Sequence, residues 1–177
     1  MNYKKYKISN KLKTDVWQYL NETNIGNRYE ANGNKEEQFV GLVGEIIIKH
    51  LFNIKHEFNK GFDGGYDFTY KGFKIDVKTM GRNVDVKDYF VNNFIAFQKS
   101  YDCDIYIFCS LNKQKNELSV CGYLGKKELL ALATLYKKGD TRTRTNGTTF
   151  KMKTDTYEIK NNKLKNIEKL FYYLPKY

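Results

Sequence analysis

Three carboxylates and a lysine stand out by residue type and spacing: Glu45, Asp67, Asp76 and Lys78. Carboxylate oxygens suit a hard divalent cation, and a lysine two residues beyond an aspartate on a strand projects from the same face. Residues 61–79 hold two short apolar-aromatic runs joined by Tyr70-Lys71-Gly72, the pattern of a hairpin. In the second run Ile75 and Val77 point to one face, and Lys74, Asp76 and Lys78 to the other. A charged row on a strand is most often a solvated face. Asp is depleted in strands, however, so Asp76 sits there against propensity. Asp67 follows Gly64-Gly65, a pair that lets backbone approach closely. Glu45 lies upstream in an apolar helical run, where taken alone it would pair with Lys49 four residues on.

The elements that must position these groups follow from periodicity. Phe39, Val40, Val43, Ile46, Ile47, Ile48 and Leu51 give residues 35–52 a wide apolar surface, so a largely buried helix is expected. Gly41 and Gly44 are poor helix formers, which implies that another backbone or a substrate comes close to both. Residues 54–58 read as a first strand, ahead of the hairpin. Val84-Asp85-Val86 reads as a further extended piece, and Phe94 to Gln98 as a short helix or connection. Residues 103–111 are a nearly continuous apolar run, the mark of a strand covered on both faces, and 117–124 form the next strand. A helix is expected from Gly125 to Gly139, a strand pair over 150–159, and a helical tail on Leu164, Ile167, Leu170, Phe171 and Leu174. Leu12, Val16, Tyr19 and Leu20 recur at helical spacing, so residues 1–34 read as an N-terminal helical extension to a domain over 35–177.

The order of a helix bearing Glu45, a strand bearing Asp67 and a next strand bearing Asp76-Val77-Lys78 resembles the PD-(D/E)xK nuclease superfamily. The motifs span residues 36–79, and a weaker likeness in element order runs to about residue 123. No proline precedes Asp67, where Tyr66 stands instead. The resemblance implies an α/β fold with a restriction-endonuclease-like core, a mixed central β-sheet flanked by helices. It also implies metal-dependent hydrolysis of DNA phosphodiester bonds to a 5′-phosphate and a 3′-hydroxyl. Mg²⁺, for which Mn²⁺ would substitute, would be held by Asp67, Asp76 and the Val77 carbonyl. Glu45 would bind a second ion or a water on the first. Lys78 would orient and help deprotonate the attacking water, or stabilise charge in the transition state. Two alternatives stay open: a non-catalytic nucleic-acid-binding protein on the same fold, or a nuclease selective for RNA or branched DNA. Gln98 and Lys99 are weaker candidates, and Asp63 is ambiguous between turn residue and metal ligand. His50 and His56 read as surface or edge residues.

The chain of 177 residues carries a net charge of +11, and 41% of it is hydrophobic, which excludes a disordered chain. From residue 137 onward it has 11 Lys or Arg against 4 Asp or Glu, which favours a polyanionic partner, DNA above all. Arg142 and Arg144 in a threonine-rich loop, with Lys151 and Lys153 beyond it, are the candidate phosphate contacts. No apolar run reaches the roughly 20 residues of a membrane helix, and no leader-like segment follows the basic start, so a cytoplasmic protein is expected. The three cysteines lack metal-type spacing, and Cys109 and Cys121 read as core. A homodimer is left open.

Overall fold

The hairpin at the centre of the sequence forms as its residues dictate. Strands β2 (Phe68–Tyr70) and β3 (Phe73–Arg82) pair antiparallel through a two-residue turn. Both turn residues take positive φ, 47° at Lys71 and 80° at Gly72, the geometry whose twist matches the flanking strands. The computed structural model describes residues 3–23, 33–58, 64–144 and 147–173. Upstream lie β1 (Lys4–Lys7), α1 (Asn10–Glu22) and α2 (Lys35–Leu51). Downstream come β4 (Val91–Ile95), β5 (Ile105–Asn112), β6 (Glu117–Gly125), α3 (Lys126–Leu132) and β7 (Thr134–Tyr136). The ribbon strands β8 (Thr141–Thr143) and β9 (Thr149–Lys151), then β10 (Thr156–Lys160) and α4 (Ile167–Tyr173), complete the chain.

The fold is mixed α/β. Its main sheet has the order β1-β6-β5-β3-β2, antiparallel throughout except for the parallel pair β3 and β5. Every residue of β5 is buried, because both faces of the sheet are covered. On one face Ile75 and Val77 join Val40, Val43, Ile47 and Ile48 of α2 and Val16 and Leu20 of α1 in one core. On the other, Tyr106 and Phe108 pack with Leu129 of α3, Ile159 of β10 and Phe94 of β4. That second layer is a three-stranded sheet, β4-β10-β7, and the Phe94 and Tyr106 rings meet at 4.9 Å. No helix among the described residues is long and apolar enough to cross a membrane.

Helix α2 starts on a capping box in which Asn34 accepts from the Glu37 N–H and the Glu37 carboxylate accepts from the Asn34 N–H. Its two glycines differ, contrary to the expectation from sequence. A Cβ at Gly44 would fall 1.9 Å from Thr79 Oγ1 of β3, whereas one at Gly41 would meet nothing within 4 Å. Of the two, Gly44 marks the close approach of helix to strand.

Several other expectations are corrected. Residues 54–58 join no sheet: Lys55, Glu57 and Phe58 are exposed, and the Phe58 ring lies 4.7 Å from Tyr19 of α1 and 4.8 Å from His56 of the same segment. Val84-Asp85-Val86 is not a strand; Asp85 ties this loop to Asn112 (2.9 Å) and Lys115 (2.5 Å). Phe94 and Ile95 belong to β4, and a 3₁₀ turn covers Ala96–Ser100. The helix expected to reach Gly139 stops at Leu132, and Thr134–Tyr136 becomes a strand against β10, a tertiary pairing that overrides the helical spacing. The expected strand pair over 150–159 is split, since β9 pairs with β8 and β10 with β4 and β7. Asp63 and Leu174 lie outside the described residues. Strand β1 was not foreseen; it pairs with β6 at the sheet edge, and α1 beside it contributes Val16, Tyr19 and Leu20 to the core.

The glycine contrast predicts opposite signs in urea unfolding. Gly41→Ala should stabilise by about 0.5–1 kcal/mol through helix propensity. Gly44→Ala should destabilise by about 1–3 kcal/mol through overpacking against Thr79, with partial recovery in Gly44→Ala/Thr79→Ala.

Candidate functional site

Strand β2 leaves the sheet immediately before Phe68, and that departure builds the site. Gly64 and Gly65 take φ of 78° and 93°, and a Cβ on Gly65 would fall 2.7 Å from the Tyr101 side chain. The chain turns away there as only glycine allows. The ladder has one more backbone bond, from the Asp67 N–H to the Ile75 carbonyl at 2.8 Å. Beyond it the Asp67 side chain takes over, and Oδ2 accepts from the Val77 N–H at 2.7 Å. Asp67 is thus pinned at the sheet edge across from Asp76 and Lys78.

Asp76 is buried, at 7% exposure, on the face covered by the second sheet. Its Oδ2 lies 2.6 Å from Lys78 Nζ, two residues along on that face. Lys74, the third member of the row, is drawn to Asp102 at the sheet end. Tyr106 stands beside Asp76 in the parallel register. Burial raises the Tyr106 hydroxyl pKa, and burial with the nearby Asp76 charge pushes the Cys103 thiol up to about 12, so neither is a nucleophile at neutral pH.

Glu45 is carried in by α2, which Gly44 seats against β3. Its Oε1 is 2.6 Å from Lys49 Nζ, the helical pair its spacing implied, and 3.5 Å from His56 Nδ1. Burial works to raise the Glu45 pKa, but His56 and Lys49 outweigh it and hold the carboxyl below its ordinary range. His56 is therefore no surface residue: its side chain is only 10% exposed, wedged between Glu45 and the Phe58 ring. Nothing in its spacing marked it, because the loop after α2 brings it back onto the helix. His50 is exposed.

Asp67 reports how these groups combine. Burial, then repulsion from Asp76 and from Glu45, push its pKa well above the usual carboxylate value, while Lys78 and the Val77 N–H pull the other way. The four residues chosen from sequence thus share one electrostatic neighbourhood centred on Asp67. Among the described residues no three His, Cys, Asp or Glu side chains converge as a closed ligand set, since Glu45 turns to Lys49 and Asp76 to Lys78. The donor chemistry is all oxygen, which suits Mg²⁺ rather than a thiolate-seeking metal. At Val77 the N–H bonds Asp67, and the carbonyl of the same residue, which a β-strand turns to the same edge, lies on that side too. Gln98 is half-buried and Lys99 exposed, both in the 3₁₀ turn.

The basic candidates behave differently from one another. Arg142 faces inward, with Nε and Nη2 at 2.8 and 2.5 Å from Oε2 of the buried Glu158, and its guanidinium covers the Tyr136 ring at 4.7 Å. Arg144 is exposed and stacks on Phe150 at 4.3 Å. Lys151 and Lys153 are exposed. The three cysteines are free and buried. In comparisons with protein-family models, with curated proteins and with solved structures, nothing matches the chain.

Two outcomes follow. A carboxyl whose folded pKa is raised costs stability as it ionises, so that cost is absent below the ordinary Asp value near pH 4 and grows as pH rises through the raised value. Asp67→Asn, which keeps an acceptor for Val77, should therefore raise the Tm in EDTA at pH 7.5, by about 2–4 °C per kcal/mol relieved, and leave it unchanged near pH 3.5. Arg142→Ala strands a buried carboxylate and should cost about 3 kcal/mol by denaturant melts, while Arg144→Ala should stay within about 0.5 kcal/mol.

Proposed function

We propose that this chain is a metal-dependent nuclease on a restriction-endonuclease-like core, hydrolysing DNA phosphodiester bonds to 5′-phosphate and 3′-hydroxyl products. One observation carries the reading. The Asp67 carboxylate, fixed on the Val77 N–H, is buried and raised in pKa by Asp76 and Glu45, with Lys78 on the same strand as Asp76. Carboxylates gathered against their own repulsion are a cost to the fold, and a cation relieves it. The parallel pairing of β3 with β5 beside the β2–β3 hairpin supports the same core.

Glu45, Asp67 and Asp76 would hold Mg²⁺ or Mn²⁺. When bound, the ion supplies charge neutralisation at the phosphate and a more acidic water. The protein's own groups do the rest. The Val77 N–H keeps the Asp67 carboxylate in one orientation. Asp76 holds the Lys78 ammonium at the sheet edge, where Lys78 orients the attacking water and offsets charge on the phosphorane-like transition state. Lys49 and His56 steady Glu45. The basic last quarter of the chain meets the polyanion.

A second reading draws on the two short ion pairs, Glu45–Lys49 and Asp76–Lys78, which also suit a scaffold that binds nucleic acid without cutting it. Incubation with single-stranded, double-stranded and branched DNA and with RNA, in Mg²⁺, Mn²⁺ or EDTA, separates the two. The nuclease reading expects metal-dependent cleavage, reduced at least about 100-fold in Lys78→Ala with the Tm retained. Retardation of DNA on a gel without cleavage in any lane would transfer the assignment to the binding scaffold.

A further inference from the structure

The ribbon of β8 and β9 has two unlike faces, and they are opposite to what its composition implies. In the register Thr141↔Lys151, Arg142↔Phe150 and Thr143↔Thr149, Arg142 and Phe150 share the half-buried side. Thr141, Thr143, Thr149 and Lys151 share the other, and all four are exposed. The arginine that looked most like a phosphate contact is the anchor. Arg142 grips Glu158 of β10 with two nitrogens and lies on Tyr136 of β7, fixing the ribbon to the second sheet.

The ribbon projects. Among the described residues its strands pair only with each other, and the hairpin continues to a bond from the Arg144 N–H to the Thr148 carbonyl at 2.8 Å. Its base is locked as well: Lys137 Nζ and the Lys138 N–H both bond Asp155, and the Lys137 N–H bonds Asp140. Those contacts and Arg142 occupy the nearby acids, Asp140, Asp155 and Glu158. Residues 137–153 carry six Lys or Arg, five Thr and a single Asp. What faces solvent is a row of hydroxyls and a lysine on a two-stranded support, with Asp155 and Glu158 each paired to a cation and Asp140 turned onto a backbone N–H.

We infer that this threonine–lysine face is a duplex-DNA contact, with the ribbon lying along a groove and Thr141, Thr143, Thr149 and Lys151 meeting the phosphate backbone. It rests on the nucleic-acid reading above and adds to it the contact face. A two-stranded ribbon is of a size to enter the major groove, roughly 12 Å wide, and threonine hydroxyls and lysine are phosphate donors.

The test uses the full-length chain carrying Lys78→Ala as the parent, so that DNA is not consumed, and a fluorescently labelled short duplex read by anisotropy across KCl concentrations, in Ca²⁺ and in EDTA. Thr143→Glu/Lys151→Glu should weaken duplex binding at least tenfold and flatten the log–log salt dependence by about one unit. The milder Thr141→Ala/Thr143→Ala/Thr149→Ala set should weaken it several-fold with an unchanged Tm. Lys127→Glu, an exposed lysine on α3, should bind as the parent does. If the parent binds duplex and both ribbon sets match it, the ribbon inference is overturned and the nuclease reading stands. If ribbon changes weaken single-stranded DNA or RNA binding and spare duplex, the duplex assignment is wrong. If the parent binds no nucleic acid, the nucleic-acid reading fails and the ribbon inference falls with it.

Discussion

The separation between α2 and β3 governs the candidate site, and a missing side chain sets it. At Gly44 the helix rests on Thr79, with no room for even a methyl group between them. That contact brings Glu45 within electrostatic reach of Asp67 and lets Val40, Val43 and Ile47 close over Ile75 and Val77. A one-carbon change at this point moves the helix off the strand, and the core and the carboxylates are disturbed together. Packing and chemistry share a single tolerance.

Electrostatically the region works against itself. Asp67 feels the charges of Asp76 and of Glu45 on α2, and those two neighbours are bonded to Lys78 and Lys49. For Asp67, burial and the repulsion of Asp76 and Glu45 outweigh the Val77 N–H and the pull of Lys78. A fold optimised for stability alone would place an amide or an apolar side chain there. His56 adds an imidazole, its side chain only 10% exposed, between Glu45 and the Phe58 ring.

Much of the scaffold was legible because its signals are local. The 3.6-residue spacing marked α1 and α2, the continuous apolar runs marked β5 and β6, and Lys71-Gly72 marked the turn. What escaped depends on partners distant in the chain. Strand β1 reads as a basic terminus because an edge strand with lysines lacks an apolar signature, and it is a strand only because β6 is beside it. Thr134–Tyr136 fits a helix by spacing and becomes a strand through β10. Alternation in Thr-Arg-Thr shows that the ribbon has two faces but not which one looks outward, since Glu158 decides that from another sheet. At the site, residue type and order picked out Glu45, Asp67, Asp76 and Lys78, whereas the turn of Glu45 toward Lys49 and the return of His56 belong to three-dimensional packing.

The route of β4 has a consequence for how the protein is made. It lies between β3 and β5 in the chain, yet it pairs in the other layer with β10, which is translated far later. The segment that joins the central parallel strands therefore itself holds one strand of a sheet that is finished only when β10 has been made. Until β10 leaves the ribosome, the Asp76 face lacks its cover and the edges of β4 are bare, so the nascent chain holds an apolar surface ready to associate with other chains. The second sheet and the cover of the Asp76 face are therefore completed together, once residues 156–160 can pair with β4.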